Sequence, residues 1–145
     1  RVPMIASWPG KIEKGTSTGH ISAFWDVLPT LAEIAGVNAP TDIDGISFLP
    51  TLMGESGQTK HDYLYWEFPA YQGQQAVRMG KWKAVRKNIF QGNMTLELYD
   101  LENDPGETTD LAGQYPGIVA RINSIMKAAH LPSELERFRM KELGD

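Results

Sequence analysis

The chain has 145 residues, 41% of them hydrophobic and 22% charged, with a mean hydropathy of -0.33, the length and balance of about one globular domain. Fourteen Lys plus Arg against 18 Asp plus Glu leave a net charge of -4 and a pI near 5.4, which argues against the basic face of a nucleic-acid binder. No run approaches the ~18 apolar residues of a membrane span, and zero Cys removes disulfides, thiolate metal sites and cysteine nucleophiles.

Arg1 is followed at once by the apolar Val2-Pro3-Met4-Ile5, so the sequence is expected to be a piece of a longer chain. Val2 to Trp8, closed by Pro9-Gly10, reads as a buried strand with Pro3 at its start. Lys11 to His20 is polar and Gly-bearing, and reads as a loop. Asp26 precedes Val27 to Ala35 and Gly36 follows. An Asp accepts first-turn amides, Pro29 is harmless where no amide partner exists, and Gly supplies a left-handed stop, so a short helix is expected. Val37 to Thr59 holds Gly and Pro with no sustained period and reads as an extended connection.

Tyr63 to Phe68 is aromatic and strand-like. Gln75 to Met79 and Trp82 to Lys87 flank Gly80-Lys81, the grammar of a hairpin. Leu96 to Leu101 makes a fourth strand. Pro116 opens a helix whose Ile118, Ile122, Ile125, Met126 and Ala129 form one apolar stripe. Ser133 to Asp145 reads as a charged helical tail docked by Leu135 and Phe138. The expected fold class is α+β. Residues 60–145 form a four-stranded antiparallel sheet with a packed amphipathic helix, which can bury a core. Residues 1–59 supply the closing strand, helix and connection of a larger, incomplete α/β domain.

Residue chemistry offers no self-contained active site. His20 lies in a loop, His61 before a strand and His130 at a helix end, and no two share a metal-ligand spacing. A cation at a helix C-terminus accounts for His130. The stretch Asp100-Leu101-Glu102-Asn103-Asp104-Pro105-Gly106-Glu107 has its glycine one position late for a calcium loop, and Leu111 stands where Glu is required. A turn is the better reading. No phosphate-binding loop and no nucleophile elbow are present. Lys81, Lys83, Arg86 and Lys87 surround Trp82, but strand alternation places some of them on opposite faces.

Several segments carry a family resemblance in order: Arg1-Val2-Pro3-Met4-Ile5-x-x-Trp8-Pro9-Gly10-Lys11-Ile12, then Asp26-Val27-Leu28-Pro29-Thr30-Leu31-x-x-Ile34-Ala35-Gly36, then Asp44-Gly45-x-Ser47. Tyr65-Trp66-Glu67, Ala76-Val77-Arg78-x-Gly80-Lys81-Trp82-Lys83 and Leu98-Tyr99-Asp100-Leu101-x-x-Asp104-Pro105-x-Glu107 follow. Together they resemble the C-terminal part of the type I sulfatases, arylsulfatase-like enzymes of the alkaline phosphatase superfamily. Asp110-Leu111-Ala112 stands where that family often has Asn-Leu-Ala. For Asp26 and Asp44, which match the motifs, capping and turn roles suffice.

The resemblance implies a parent enzyme that hydrolyses sulfate esters with a formylglycine nucleophile and a calcium ion, both held upstream of Arg1. No catalytic residue and no metal ligand is carried onto this chain, which is expected to be inactive alone. It implies as partners the catalytic domain that precedes it and a sulfated substrate, with a carbohydrate among the candidates, and a periplasmic or secreted location. His20, Trp66, Glu67, Tyr71, Gln74 and Arg78 are the candidate substrate-pocket residues, with aromatic rings to stack on a sugar and Arg78 to meet an anionic oxygen. Two other readings stay open: a stand-alone carbohydrate-binding or interaction module, and a fragment of a related phosphonate or phosphodiester hydrolase. An unpaired Val2 to Trp8 edge would invite a homodimer.

Overall fold

The structure is a computed structural model that describes residues 2–145; Arg1, at the head of the first motif, lies outside them. The chain divides into two compact units, Arg1–His61 and Asp62–Asp145.

The first unit is helical and irregular. A 3-10 turn over Phe24–Asp26 runs into α1 (Val27–Ile34), which stops at Ala35 and a left-handed Gly36. The connection that follows is not wholly extended: Pro50 opens a short helix, α2 (Leu49–Met53), closed by the left-handed Gly54. Gln58 braces this helix, its Oε1 accepting from the Thr51 amide and hydroxyl and its Nε2 donating to the Ser47 carbonyl. Gly45 is required by close approach. A Cβ there would stand 2.3 Å from the Trp25 carbonyl oxygen and 3.0 Å from Pro29 Cγ.

The strand expected over Val2 to Trp8 is not formed. The segment has no ladder partner, and Val2, Met4 and Ile5 are exposed. An apolar run becomes a strand only when a neighbour satisfies its amides and carbonyls, and the described residues of the first unit contain no strand at all.

The second unit is the antiparallel sheet and helix that the sequence predicts. Strands β1 (Leu64–Phe68), β2 (Gln74–Met79), β3 (Trp82–Lys87) and β4 (Glu97–Asp100) lie in the order β1-β2-β3-β4. Met79 pairs with Trp82 across Gly80-Lys81, with Gly80 at a φ of 56°. That is a two-residue hairpin whose positive φ suits glycine. Helix α3 (Pro116–Ala129) lays Ile122 and Met126 against Val77, Ala84, Leu96 and Leu98, and Tyr65, Trp82 and Ile118 flank this core. The register sets Glu67 opposite Gln75 and Trp66 opposite Ala76. Tyr65, Glu67, Gln75 and Val77 thus share the helix-covered face, while Trp66, Phe68, Gln74 and Arg78 share the other.

The tail departs from expectation. Instead of a helix it makes two 3-10 turns, Glu136–Phe138 and Lys141–Leu143, and its anchor is the buried Met140 rather than the exposed Leu135 and Phe138. Charge alone marks a solvated face but does not specify a helical period.

Ile122 has no exposed surface. Ile122→Ala is expected to lower unfolding stability by about 2–5 kcal/mol through lost burial and the cavity left behind. Leu131→Ala, at an exposed site, is expected to stay within about 0.5 kcal/mol. Urea denaturation of both variants checks the contrast.

Candidate functional site

Asp26 organises the first unit. Its backbone stands at the start of α1, yet its carboxylate does not cap the helix. Oδ2 accepts the Ala23 amide at 2.7 Å, and Oδ1 accepts the Ile46 amide at 2.9 Å and faces His61 Nε2 at 2.8 Å. One turn on, the buried Thr30 hydroxyl donates to the Asp26 carbonyl at 2.7 Å and accepts the Phe48 amide at 3.0 Å. Residues i and i+4 share a helix face, so Asp26 and Thr30 together receive the returning segment at Ile46 and Phe48. The helix motif and the Asp44-Gly45-x-Ser47 motif are two sides of one joint, with Gly45 flat against Trp25. Asp44 stands in a bend, and the capping of α1 expected of Asp26 is replaced by acceptance of the Ala23 and Ile46 amides.

His20, the candidate from this unit, is half-buried in its loop, where its amide donates to Thr18 Oγ1 at 3.1 Å. Burial holds its imidazole below the ordinary value; Asp26 raises it, and the nearby His61 and Lys60 lower it further.

The other five candidates belong to the second unit, where the sheet separates them. Trp66, Gln74 and Arg78 lie on the face away from α3, and Tyr71 stands in the β1–β2 loop with 78% of its surface exposed. Phe68, 52% exposed, is a residue that the sequence motifs do not single out; it follows Trp66 by two residues, and its ring centroid is 6.0 Å from that of Tyr71. Period-two alternation is the signal that could have found it. Arg78 Nε donates to the Gly80 carbonyl at 3.2 Å.

Glu67 is on the opposite face and inside a polar network. Its Oε1 accepts from the Tyr65 hydroxyl and from Gln75 Nε2 at 2.9 Å, and lies 2.6 Å from His130 Nδ1. Gln75 Oε1 in turn accepts Arg86 Nη1 at 2.6 Å, while Arg86 Nη2 donates to Asn123 Oδ1 at 2.8 Å and Nε to the Met94 carbonyl at 3.2 Å. Burial, with the side-chain bond to Glu67, pushes the Tyr65 hydroxyl well above its ordinary range. Glu67 is thus committed to protein donors and does not join the aromatic face.

The basic cluster is equally spoken for. Lys81 Nζ donates to Asp100 Oδ2 at 2.7 Å, Lys83 Nζ to Glu107 Oε1 at 2.5 Å and Lys87 Nζ to Glu97 Oε2 at 2.6 Å. Asp104 holds the following turn, its Oδ2 accepting the Thr108 and Thr109 amides. The acidic stretch is a turn, as its spacing predicts. Among the described residues there is no group of three or more His, Cys, Asp or Glu placed to hold a metal ion.

Residues 1–133 match the family described as N-sulphoglucosamine sulphohydrolase, C-terminal. The chain belongs to that sulfatase family. Among curated relatives, an ulvan-active sulfatase of Formosa agariphila is 31% identical over 148 residues, covering 77% of this chain and 29% of that protein. Arylsulfatase A of Homo sapiens is 32% identical over 154 residues, covering 90% of this chain and 30% of that protein. The chain therefore spans under a third of the length of these relatives. The solved structure of a 2-O GAG sulfatase is similar with a TM-score of 0.62 and 34% identity, covering 71% of this chain and 23% of that one. The α+β arrangement of sheet and helices is that of sulfatase C-terminal domains. No helix among the described residues is long and apolar enough to cross a membrane.

Two of the sulfatase motifs yield direct tests. Asp26→Asn keeps shape but turns an amide toward donors that now meet a carboxylate. It is expected to cost about 1.5–3 kcal/mol and to speed hydrogen exchange at the Ile46 amide. Asp100, held by the hydrogen bond from Lys81 against the opposing effect of burial, is lowered to about 2. Its contribution to stability is present above the unfolded carboxyl value of about 3.9 and is lost as pH falls toward 2. In Lys81→Met, NMR titration is expected to show the Asp100 carboxyl moving up toward its ordinary value.

Proposed function

We propose that this chain is the C-terminal portion of a sulfatase acting on a sulfated carbohydrate, that it does not turn over sulfate esters by itself, and that the β1–β2 hairpin lines the parent's substrate pocket. The observation that carries this reading is the set of exposed rings, Trp66, Phe68 and Tyr71, placed with Gln74 and Arg78 on one side of the hairpin. Aromatic faces receive the apolar side of a sugar ring, and Gln74 and Arg78 supply polar groups beside them. The names of the relatives, one of them an ulvan-active sulfatase, support a polymeric substrate. Residues 1–59 are read as the closing part of the larger domain. Val27, Leu31 and Ile34 form an exposed apolar stripe on α1, with Leu28 beside it, and such stripes mark interfaces.

The upstream part of the parent is taken to supply the formylglycine nucleophile and the calcium site, and a periplasmic or secreted location is proposed from the family resemblance. The test compares the parent enzyme with its Trp66→Ala and Tyr71→Ala variants on a sulfated oligosaccharide and on a small aryl sulfate. Burying an aromatic side chain contributes about 1.5–3 kcal/mol, so kcat/KM on the oligosaccharide is expected to fall about ten- to hundredfold with aryl sulfate turnover little changed. Equal loss on both substrates would remove the pocket assignment. Aryl sulfate turnover by the isolated 145 residues would remove the claim of inactivity.

A further inference from the structure

Helix α3 ends at His130, where ψ swings to 130° although the amide still donates to the Met126 carbonyl at 3.1 Å. The imidazole stands between two carboxylates, with Nδ1 2.6 Å from Glu67 Oε1 and Nε2 2.5 Å from Asp145 Oδ1. A neutral imidazole has a single N–H and would turn a lone pair on one carboxylate; only the imidazolium donates to both. The second oxygen of Asp145 accepts the Met140 amide at 2.7 Å, and Met140 is 2% exposed.

What Met140 covers is the β1–β2 loop. A Cβ at Gly73 would stand 3.5 Å from Met140 Sδ and 3.2 Å from Ile89 Cβ, and Gly73 bonds through its carbonyl to the Ile89 amide. Tyr71, Gln72 and Gly73 all have positive φ, at 51°, 68° and 76°. For the two non-glycine residues that is strain, which persists only where surroundings over-determine it. We propose that residues 131–145 form a strap that buttresses this loop, latched by a protonated His130 between Glu67 and Asp145, and that the latch opens as His130 loses its proton.

The groups around the ring agree. Glu67 faces it from β1 and is itself bonded by the Tyr65 hydroxyl, Asp145 faces it from the strap, and Arg86 on β3 reaches Glu67 through Gln75 on β2. Deprotonation removes the positive charge that stands between the Glu67 and Asp145 carboxylates. Burial lowers the His130 value, but the hydrogen bonds from the ring to Glu67 and Asp145 outweigh it and leave the group raised. A raised folded value means the latch is fully present below the unfolded value of about 6.5 and is lost as pH rises through the folded one. That the loop then presents Tyr71 less firmly to a substrate rests on the proposed pocket; the latch itself does not.

The test is NMR on the full 145-residue chain, with no substrate present. The His130 ring is expected to titrate above about 6.5 with both nitrogens protonated below that. The Met140 amide protection factor is expected to fall by up to about tenfold per pH unit as pH rises from there, then level off, while Val77 and Leu98 amides in the core keep theirs. His130→Gln is expected to hold Met140 at the levelled value at every pH. Titration of His130 at or below about 6.5, a flat Met140 profile, or wild-type protection in His130→Gln would overturn the latch. If His130→Gln loses the core protection too, the wild-type titration decides alone. Failure of the Trp66 and Tyr71 substrate test leaves this result standing, so the two readings fail separately.

Discussion

Arg86 carries a full charge to a position only 4% exposed, and the second unit is arranged around that constraint. A buried guanidinium must find acceptors for its donors or cost several kcal/mol. Here the acceptors are neutral, Gln75 on β2, Asn123 on α3 and the Met94 carbonyl, so one side chain ties sheet, helix and loop together. The compensating anion is one residue further on. Glu67 holds Gln75 by its amide, and Gln75 presents its oxygen to Arg86. The polar row is therefore ordered end to end, each member orienting the next. Its neighbours on the same face are the apolar Val77, Ala84, Ile122 and Met126, which exclude water and make the row matter more.

The first unit solves a similar problem with less. It has no sheet among its described residues and no row of buried apolar side chains, so it relies on backbone amides captured by Asp26 and Thr30. Its helix keeps an apolar stripe exposed, while Asp26 and Thr30 accept the Ala23, Ile46 and Phe48 amides at its joint. In that unit the hydrogen bonds, more than buried apolar area, set the shape.

Elements that depend on neighbours in sequence are legible. The β2–β3 hairpin follows from Gly80-Lys81, and α3 from its stripe of Ile and Met. The Asp104 turn follows from Asp, Pro and Gly at fixed offsets. Elements that depend on a distant partner are not. Val2 to Trp8 has the composition of a strand, yet no ladder exists for it. The tail's anchor is Met140, buried beside Gly73 of the β1–β2 loop, and nothing in residues 133–145 reveals that contact. Adjacency in sequence groups Glu67 with Trp66, although alternation sends them to opposite faces. The same rule adds Phe68 to the aromatic side.

By itself the sequence determined the family, through the order of several motifs, and the positions of α1, α3, the β2–β3 hairpin and the Asp104 turn, because these rest on dihedral preference, capping and period within a few residues. Only the tertiary structure decided what the polar residues in those motifs do. Asp26 meets Ile46 and His61 from 20 and 35 residues away, and Glu67 meets His130 from 63 away. A carboxylate or imidazole takes its role from the donors and charges brought to it, and folding, not local pattern, brings them.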